Sequence, residues 1–210
     1  SGGAGKVTAE WMMNGEMQED IFSLDISRFE KFHSELDFIT ERVTETLGNL
    51  YAMHWPFKQH TTSRNQKLMP YHDHLIKKGA CFGQAAAYER PMWYSINGNE
   101  PKYKYSYGYQ NWYESAEHET INARKNVALF DLSPFAKFEL VGANSYKSLQ
   151  YLCANNIKHK VGAVTYTQML NSKGGIESDL TVTCIEENKF RVVAESGVRT
   201  HDKKHILKYL

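Results

Sequence analysis

The sequence predicts an α+β fold, on three observations. Residues 176–184 alternate, with Ile176, Leu180, Val182 and Cys184 on even positions and Glu177, Asp179, Thr181 and Thr183 on odd ones. Successive side chains of a strand point to opposite faces, so this is a strand with one apolar face, and Asp179 projects away from it. Leu36, Ile39, Val43, Leu47 and Leu50 recur at spacings of three and four, the period of a helix with one apolar stripe. Asn171, Ser172, Lys173, Gly174 and Gly175 supply turn chemistry, because glycine reaches positive φ without steric cost, and make residues 166–182 a hairpin. Helices interleaved with antiparallel hairpins define the class.

The elements follow in order. Glycine-rich residues 1–5 lead into a helix over 7–14, closed by Gly15. Asp25 caps a short helix running to about His33. The helix over 35–50 buries its stripe. Residues 51–70 are irregular, with Pro56, Pro70 and a polar run over 59–66; residues 71–78 form a helix closed by Gly79. From 80 to 111 glycine, proline and tyrosine dominate, which marks a soft boundary. There Tyr103, Tyr105, Tyr107 and Tyr109 alternate with Lys104, Ser106 and Gly108, an extended segment with one aromatic face. A helix over 114–126 takes Ser115 as its N-cap, with Glu117 and Glu119 near the positive end of its dipole. Strands at 128–132 and 137–141, a helix at 145–154, the hairpin, a strand at 190–194 and a helix from near Val198 complete the chain.

Composition excludes several classes. With 25 Lys and Arg against 24 Asp and Glu the net charge is +1, so no strong field attracts nucleic acid or an anionic membrane. No apolar run approaches the ~20 residues that span a bilayer. Cys81, Cys153 and Cys184 are odd in number and far apart. They form neither a disulfide framework nor a metal knuckle and read as small buried hydrophobes of a reducing compartment, which argues against secretion. The chain opens Ser1-Gly2-Gly3-Ala4-Gly5-Lys6 and stops inside a helix-like pattern at Leu210. It reads as an internal piece of a longer protein, with core surface left uncovered when it stands alone.

Five constellations carry candidate chemistry. Gly2, Gly3 and Gly5 ahead of a helix present backbone N–H groups to an anion or cofactor ring, or form an ordinary loop. His72 with His74, and His201 with His205, have spacings that metal ligands use. Asp202 and Lys203 fill the second pair's interval and no third ligand is near, so solvated helix histidines are expected and no metal site. The aromatic run over 103–113 suits stacking on bases or sugars, but without a basic excess it reads as packing. Glu89 and Arg90, before Pro91, Trp93 and Tyr94, read either as a surface ion pair on a strand or as a pocket wall. Asp179, on a rigid strand beside a glycine turn, reads as a ligand or acid/base group, or as a solvated strand residue.

Several motifs together resemble the dimethylglycine dehydrogenase and sarcosine dehydrogenase family, flavoproteins whose C-terminal half is similar to the aminomethyltransferase (T-protein, GcvT) of the glycine cleavage system. Tyr88-Glu89-Arg90-Pro91-Met92-Trp93-Tyr94 resembles the family's Gly-Trp-Glu-Arg-Pro-x-Trp-Phe motif, with Tyr88 in place of tryptophan. Asn111-Trp112-Tyr113-Glu114, Val127-Ala128-Leu129-Phe130-Asp131-Leu132-Ser133-Pro134-Phe135 and the 166–182 hairpin resemble its folate-binding half. Residues 1–6 and Ala9-Glu10-Trp11 resemble the close of its flavin domain, and residues 25–29 with Arg42 the start of its middle domain.

The resemblance covers nearly the whole chain and implies three parts. These are the end of an FAD-dependent oxidoreductase domain (1–24), a connector (25–80) and the first part of an aminomethyltransferase-like folate-binding domain (81–210). It implies oxidation of an N-methyl amine, sarcosine or dimethylglycine, by FAD with a separate electron acceptor, and capture of the one-carbon unit by tetrahydrofolate. The dinucleotide fingerprint and flavin-tethering histidine would lie upstream, so the chain alone is expected to be inactive. Asp179 matches the aspartate that sits by the pterin and assists attack of the folate nitrogen, and Tyr166 a tyrosine lining the same site. Where the aminomethyltransferase has an asparagine on folate, this chain has Ala194, which passes the contact to Glu195 or to backbone groups. Gly2, Gly3 and Gly5 would face the flavin. A non-catalytic relative, the regulatory subunit of pyruvate dehydrogenase phosphatase, resembles the same family and is the alternative. The compartment implied is a bacterial cytoplasm or the mitochondrial matrix.

Overall fold

A computed structural model describes residues 2–15 and 21–210. The first half holds helices α1 (Gly2–Asn14), α2 (Leu36–Asn49) and α3 (His72–Lys77), strands β1 (Ala80–Ala85) and β2 (Tyr88–Tyr94), and helix α4 (Tyr113–Lys125). Then follow β3 (Ala136–Val141), α5 (Ser145–Leu152), β4 (Val164–Leu170), β5 (Ile176–Glu186), β6 (Lys189–Ala194) and α6 (Arg199–Lys208). The chain forms two compact units that interleave in sequence. The first comprises Ser1–Phe29, Phe138–Ala194 and Val198–Leu210; the second comprises Glu30–Lys137 and Glu195–Gly197.

The first unit is built on a four-stranded sheet of order β3-β6-β5-β4. Alternation decides what it buries. Leu180, Val182 and Cys184 of β5, Phe190, Val192 and Ala194 of β6 and Met169 of β4 are buried with Leu149 and Leu152 of α5 and Ile206 of α6, as the even-position apolar row requires; Ile176, expected in that row, is exposed because the register shifts at the end of β4. The β4–β5 turn is organised by Asn171, whose Oδ1 accepts from the N–H groups of Lys173 (2.9 Å) and Gly175 (2.9 Å). Gly174 takes φ +79°, and a Cβ on Gly175 would stand 2.9 Å from Asn171 Nδ2. Glycine is demanded at both places.

The ends of this unit depart from expectation. Gly2, Gly3 and Gly5 form no loop; they lie inside α1, which begins five residues earlier than residue 7, while Gly15 closes it at φ +75° as expected. Asp25 caps as predicted, accepting from Ser27 N–H at 2.7 Å, but the helix it starts stops at Arg28 as a single 3₁₀ turn, and another runs Lys31–Ser34.

The second unit holds the β1–β2 hairpin, α2, α3 and α4, and a chain that side chains rather than a sheet keep in place. Helix α2 spans the predicted residues but turns the other way. Only Phe38 is buried, and Leu36 (76% exposed), Val43 and Leu47 (64%) face out. Its polar face holds the irregular segment instead. Glu45 accepts from the N–H groups of Thr61 (2.8 Å) and Thr62 (3.0 Å), Glu41 accepts from Ser63 N–H (3.1 Å), and Arg42 donates to the Thr62 carbonyl (2.7 Å). Backbone polar groups without a strand partner need such partners, and they outcompete burial of the apolar stripe here.

Three further expectations are corrected. Residues 128–132 form no strand: Val127, Leu129 (93% exposed) and Phe130 stand on the surface, and no described strand pairs with them. Ser115 is buried within α4, whose N-cap is Trp112. Glu89 pairs not with Arg90 on the surface but with Arg64 in the interior, where Glu89 is 0% exposed. Tyr103 and Tyr105 stack at 5.7 Å and meet Trp112 edge-on at 5.0 and 6.0 Å, so the first half of the aromatic run packs within its unit, while Tyr107 and Tyr109 stand exposed. Cys81, Cys153 and Cys184 are free and buried, and burial pushes the Cys81 and Cys153 thiols up to about 11.

Candidate functional site

The antiparallel register of β4 and β5 sets Gln168 opposite Asp179 and Tyr166 opposite Thr181. Tyr166 and Asp179 are therefore diagonal neighbours on the outward face, within reach of a long side chain. The Tyr166 hydroxyl donates to Asp179 Oδ2 at 2.8 Å, and both residues are exposed. That hydrogen bond, and then the carboxylate's charge, raise the Tyr166 phenol above its ordinary value. Asp179 Oδ1 accepts no hydrogen bond from the described residues. The pair thus presents one engaged and one open carboxylate oxygen on a rigid sheet, an arrangement that accepts from ligand N–H groups or takes a proton from an amine.

Around this pair the neighbouring side chains are engaged. Glu177, the extra residue where the β4–β5 register shifts, accepts from Asn171 Nδ2 at 2.8 Å and meets His201 Nε2 at 3.1 Å. Behind the sheet Ser178 Oγ donates to Asp202 Oδ2 at 2.9 Å, and His201 Nδ1 lies 3.1 Å from Asp202 Oδ1. A carboxylate at each ring nitrogen favours the charged imidazolium. The hydrogen bond to Asp202 raises the His201 value despite burial, with Glu177 adding to it. Lys204, on the same helix, reaches Asp25 Oδ2 at 3.0 Å.

Of the residues singled out from sequence, the structure brings Tyr166 and Asp179 together. Glu195 belongs to the other compact unit and closes its own loop, accepting from Gly197 N–H at 2.7 Å and Ser196 Oγ at 3.1 Å. Gly2, Gly3 and Gly5 lie in α1, and nothing stands within 4 Å of where a Cβ on any of them would sit. The glycines make no cradle there. Sequence reasoning treated His201 as solvated and passed over Ser178 and Asp202; α6 carries only two apolar residues, Ile206 and Leu207, so its pattern gives no sign that Asp202 is the buried acid.

Residues 71–210 match the GCVT N-terminal domain family. The chain belongs to that family. Residues 14–68 match the FAD dependent oxidoreductase central domain, so the two domain types follow one another as the motif resemblance indicated. The chain is 41% identical over 194 residues to 4-methylaminobutanoate oxidase (formaldehyde-forming) of Paenarthrobacter nicotinovorans, covering 92% of this chain and 24% of that protein. It is 30% identical to the mitochondrial pyruvate dehydrogenase phosphatase regulatory subunit of Mus musculus, over 100% of this chain and 24% of the relative. Human mitochondrial sarcosine dehydrogenase is also 30% identical, over 87% of this chain and 22% of its own length. The chain thus spans about a quarter of the length of these relatives. Among solved structures it resembles the glycine cleavage system aminomethyltransferase T of Bartonella henselae, with a TM-score of 0.55 and 25% identity over 68% of this chain and 35% of that one. No described helix is long and apolar enough to cross a membrane.

Proposed function

We propose that this chain is the folate-facing part of an FAD-dependent oxidoreductase acting on an N-methyl amino acid, and that Asp179 is its acid/base residue with Tyr166 as its partner. One observation carries the reading: the Tyr166–Asp179 hydrogen bond on an outward sheet face, with the second carboxylate oxygen left open. The donor set fits tetrahydrofolate, whose pterin offers N–H groups to a carboxylate. Bound there, the folate would supply a nucleophilic nitrogen that captures a one-carbon unit at the oxidation level of formaldehyde. Asp179 would orient that amine and accept its proton, while the phenol holds Oδ2 in place. Thr181 and Gln168 flank the pair in register and line the same surface. Glu195 lies in the other compact unit, and no contact with the pair is assigned to it.

Flavin would supply the oxidant, passing electrons on to a separate acceptor, but Gly2, Gly3 and Gly5 form no cradle for it and no step is assigned to them. The amine class is supported by relatives named for 4-methylaminobutanoate and sarcosine. We place 4-methylaminobutanoate beside sarcosine and dimethylglycine as substrates to try. The regulatory reading keeps a specific support, a phosphatase regulatory subunit that matches the whole chain at 30%. A soluble setting in bacterial cytoplasm or mitochondrial matrix fits both readings.

The test is binding of 5-formyltetrahydrofolate, followed by calorimetry, to the chain and to Asp179→Ala and Tyr166→Phe. Binding that weakens about a hundredfold in Asp179→Ala and several-fold in Tyr166→Phe is expected, since a charge-assisted hydrogen bond is worth ~1.5–3 kcal/mol. Equal affinity in all three proteins would sink the site.

A further inference from the structure

We infer that Asp202 of α6 is a positioning residue for Asp179, acting through Ser178 from behind the sheet. The inference rests on the folate reading for its purpose and on three contacts for its geometry. Asp202 is 0% exposed, and a carboxylate in such a place persists only if its oxygens are hydrogen-bonded. Oδ2 accepts from Ser178 Oγ at 2.9 Å and Oδ1 faces His201 Nδ1 at 3.1 Å. Ser178 precedes Asp179 on β5, and neighbouring strand residues point to opposite faces. Holding side chain 178 from the rear therefore fixes the pleat that projects Asp179 forward. Ser178 and Asp179 pair with β4 alone, whereas from Leu180 onward β5 pairs with β6 as well, so a rear anchor matters most at Ser178.

A second arm of the same network holds the residue before Ser178. Glu177 is the extra residue of a β-bulge, between the pairs Met169–Ser178 and Leu170–Ile176. His201 Nε2 and Asn171 Nδ2 hold its carboxylate, so His201 ties the bulge to Asp202. Among the described residues, the Tyr166 hydroxyl is the one side-chain hydrogen-bond donor to the Asp179 carboxylate.

The experiment reads Asp179's placement without any ligand. 3-Fluorotyrosine is installed at position 166 of the full chain, and its phenol is titrated by ¹⁹F NMR in the parent, Ser178→Ala, Asp202→Ala and Asp202→Asn. The Tyr166–Asp179 bond raises that phenol, so Ser178→Ala and Asp202→Ala are expected to lower it toward the free amino acid's value. Asp202→Asn, which keeps two polar atoms in place, is expected to restore part of the rise. Affinity for 5-formyltetrahydrofolate is expected to fall about tenfold in Ser178→Ala, the low end of what a misplaced charge-assisted hydrogen bond costs. Should Asp202→Ala fail to fold, Ser178→Ala removes one oxygen only and carries the test. An unchanged titration in folded Ser178→Ala overturns the inference. A titration that moves while the parent binds no folate probe supports the positioning role and removes the folate reading alone.

Discussion

The two compact units hold their backbones by different means. In the first, β5 is paired on both sides, from Val164–Thr183 through Leu170–Ile176 on β4 and from Leu180–Ala194 through Glu186–Lys189 on β6. Backbone satisfies backbone, and the side chains are free to sort by face. In the second, residues 59–65 run with no strand partner, and Glu41, Arg42, Glu45, Arg64 and Glu89 satisfy them one group at a time. The first arrangement is redundant and tolerant; the second concentrates stability in a few charged side chains.

The sharpest break in the second unit is expected at Glu89. It is buried and accepts from Arg64 Nε at 2.8 Å, from Arg64 Nη2, and from Asn65 N–H at 2.9 Å. Burial raises its carboxyl, yet the Arg64 and Asn65 donors outweigh it and hold the value low. Glu89→Ala removes the buried acceptor of Arg64 and Asn65, leaving Arg64 its carbonyl contacts at His60 and Phe82, and should cost about 3 kcal/mol in urea unfolding. Arg64→Ala should cost a similar amount, and the double variant much less than the sum. Simple additivity would show that the pair is not the organising contact.

The next comparison uses pH, and one group in each unit, Glu45 and His201, responds in the opposite sense to the other. Burial raises Glu45, but the Thr62 and Thr61 donors bring it down to about 2. A carboxyl depressed in the fold contributes stability above its unfolded value near 4.5 that is lost as pH falls toward 2. For Glu45 that is on the order of 2 kcal/mol. His201 is raised, so its contribution is present below the unfolded value near 6.5 and disappears as pH rises through the folded one. Amide exchange across pH should therefore show acid loosening residues 59–65 first and mild alkali loosening the α6–β5 contact first. The reverse order would contradict the division.

Legibility followed the same division. The hairpin, its turn and the outward placement of Asp179 were readable because period-two alternation reports a strand that buries one face. The partner of Asp179 was readable only through the motif resemblance, since Tyr166 sits thirteen residues away and alternation says nothing of register. Asp202 escaped because burial of an acid is set by Ser178 and His201, which meet it only in the fold. In the second unit periodicity misled: the Leu36–Leu50 stripe predicted a buried face, while Glu41, Arg42 and Glu45 turned the polar side inward. Residues 128–132 have strand composition, but no described strand offers them a partner. Capping behaved likewise, with Asp25 a cap in fact and Ser115 one in composition only.

Substitutions at the outward face should separate function from stability. Tyr166→Phe and Asp179→Ala remove one exposed hydrogen bond, and surface changes of this sort move stability within about ±0.5 kcal/mol. A melt displaced by several degrees in either variant would mean that the pair is structural rather than poised for a ligand.

The smallest effect should be a gain, in the β1–β2 turn. Ala85 pairs with Tyr88, so Ala86 and Ala87 form a two-residue hairpin loop, and both take positive φ, 50° and 67°. Such turns favour Asn-Gly because a Cβ in the left-handed region crowds the following carbonyl, a cost of roughly 1 kcal/mol per residue. Ala87→Gly relieves that strain but loosens the unfolded chain, which returns part of the gain. The net should be a stabilisation of about 0.5 kcal/mol, with Ala86→Asn adding a few tenths more. If Ala87→Gly instead destabilises the chain by urea titration, the hairpin is not closed by a left-handed pair, and the register that buries Glu89 must be redrawn with it.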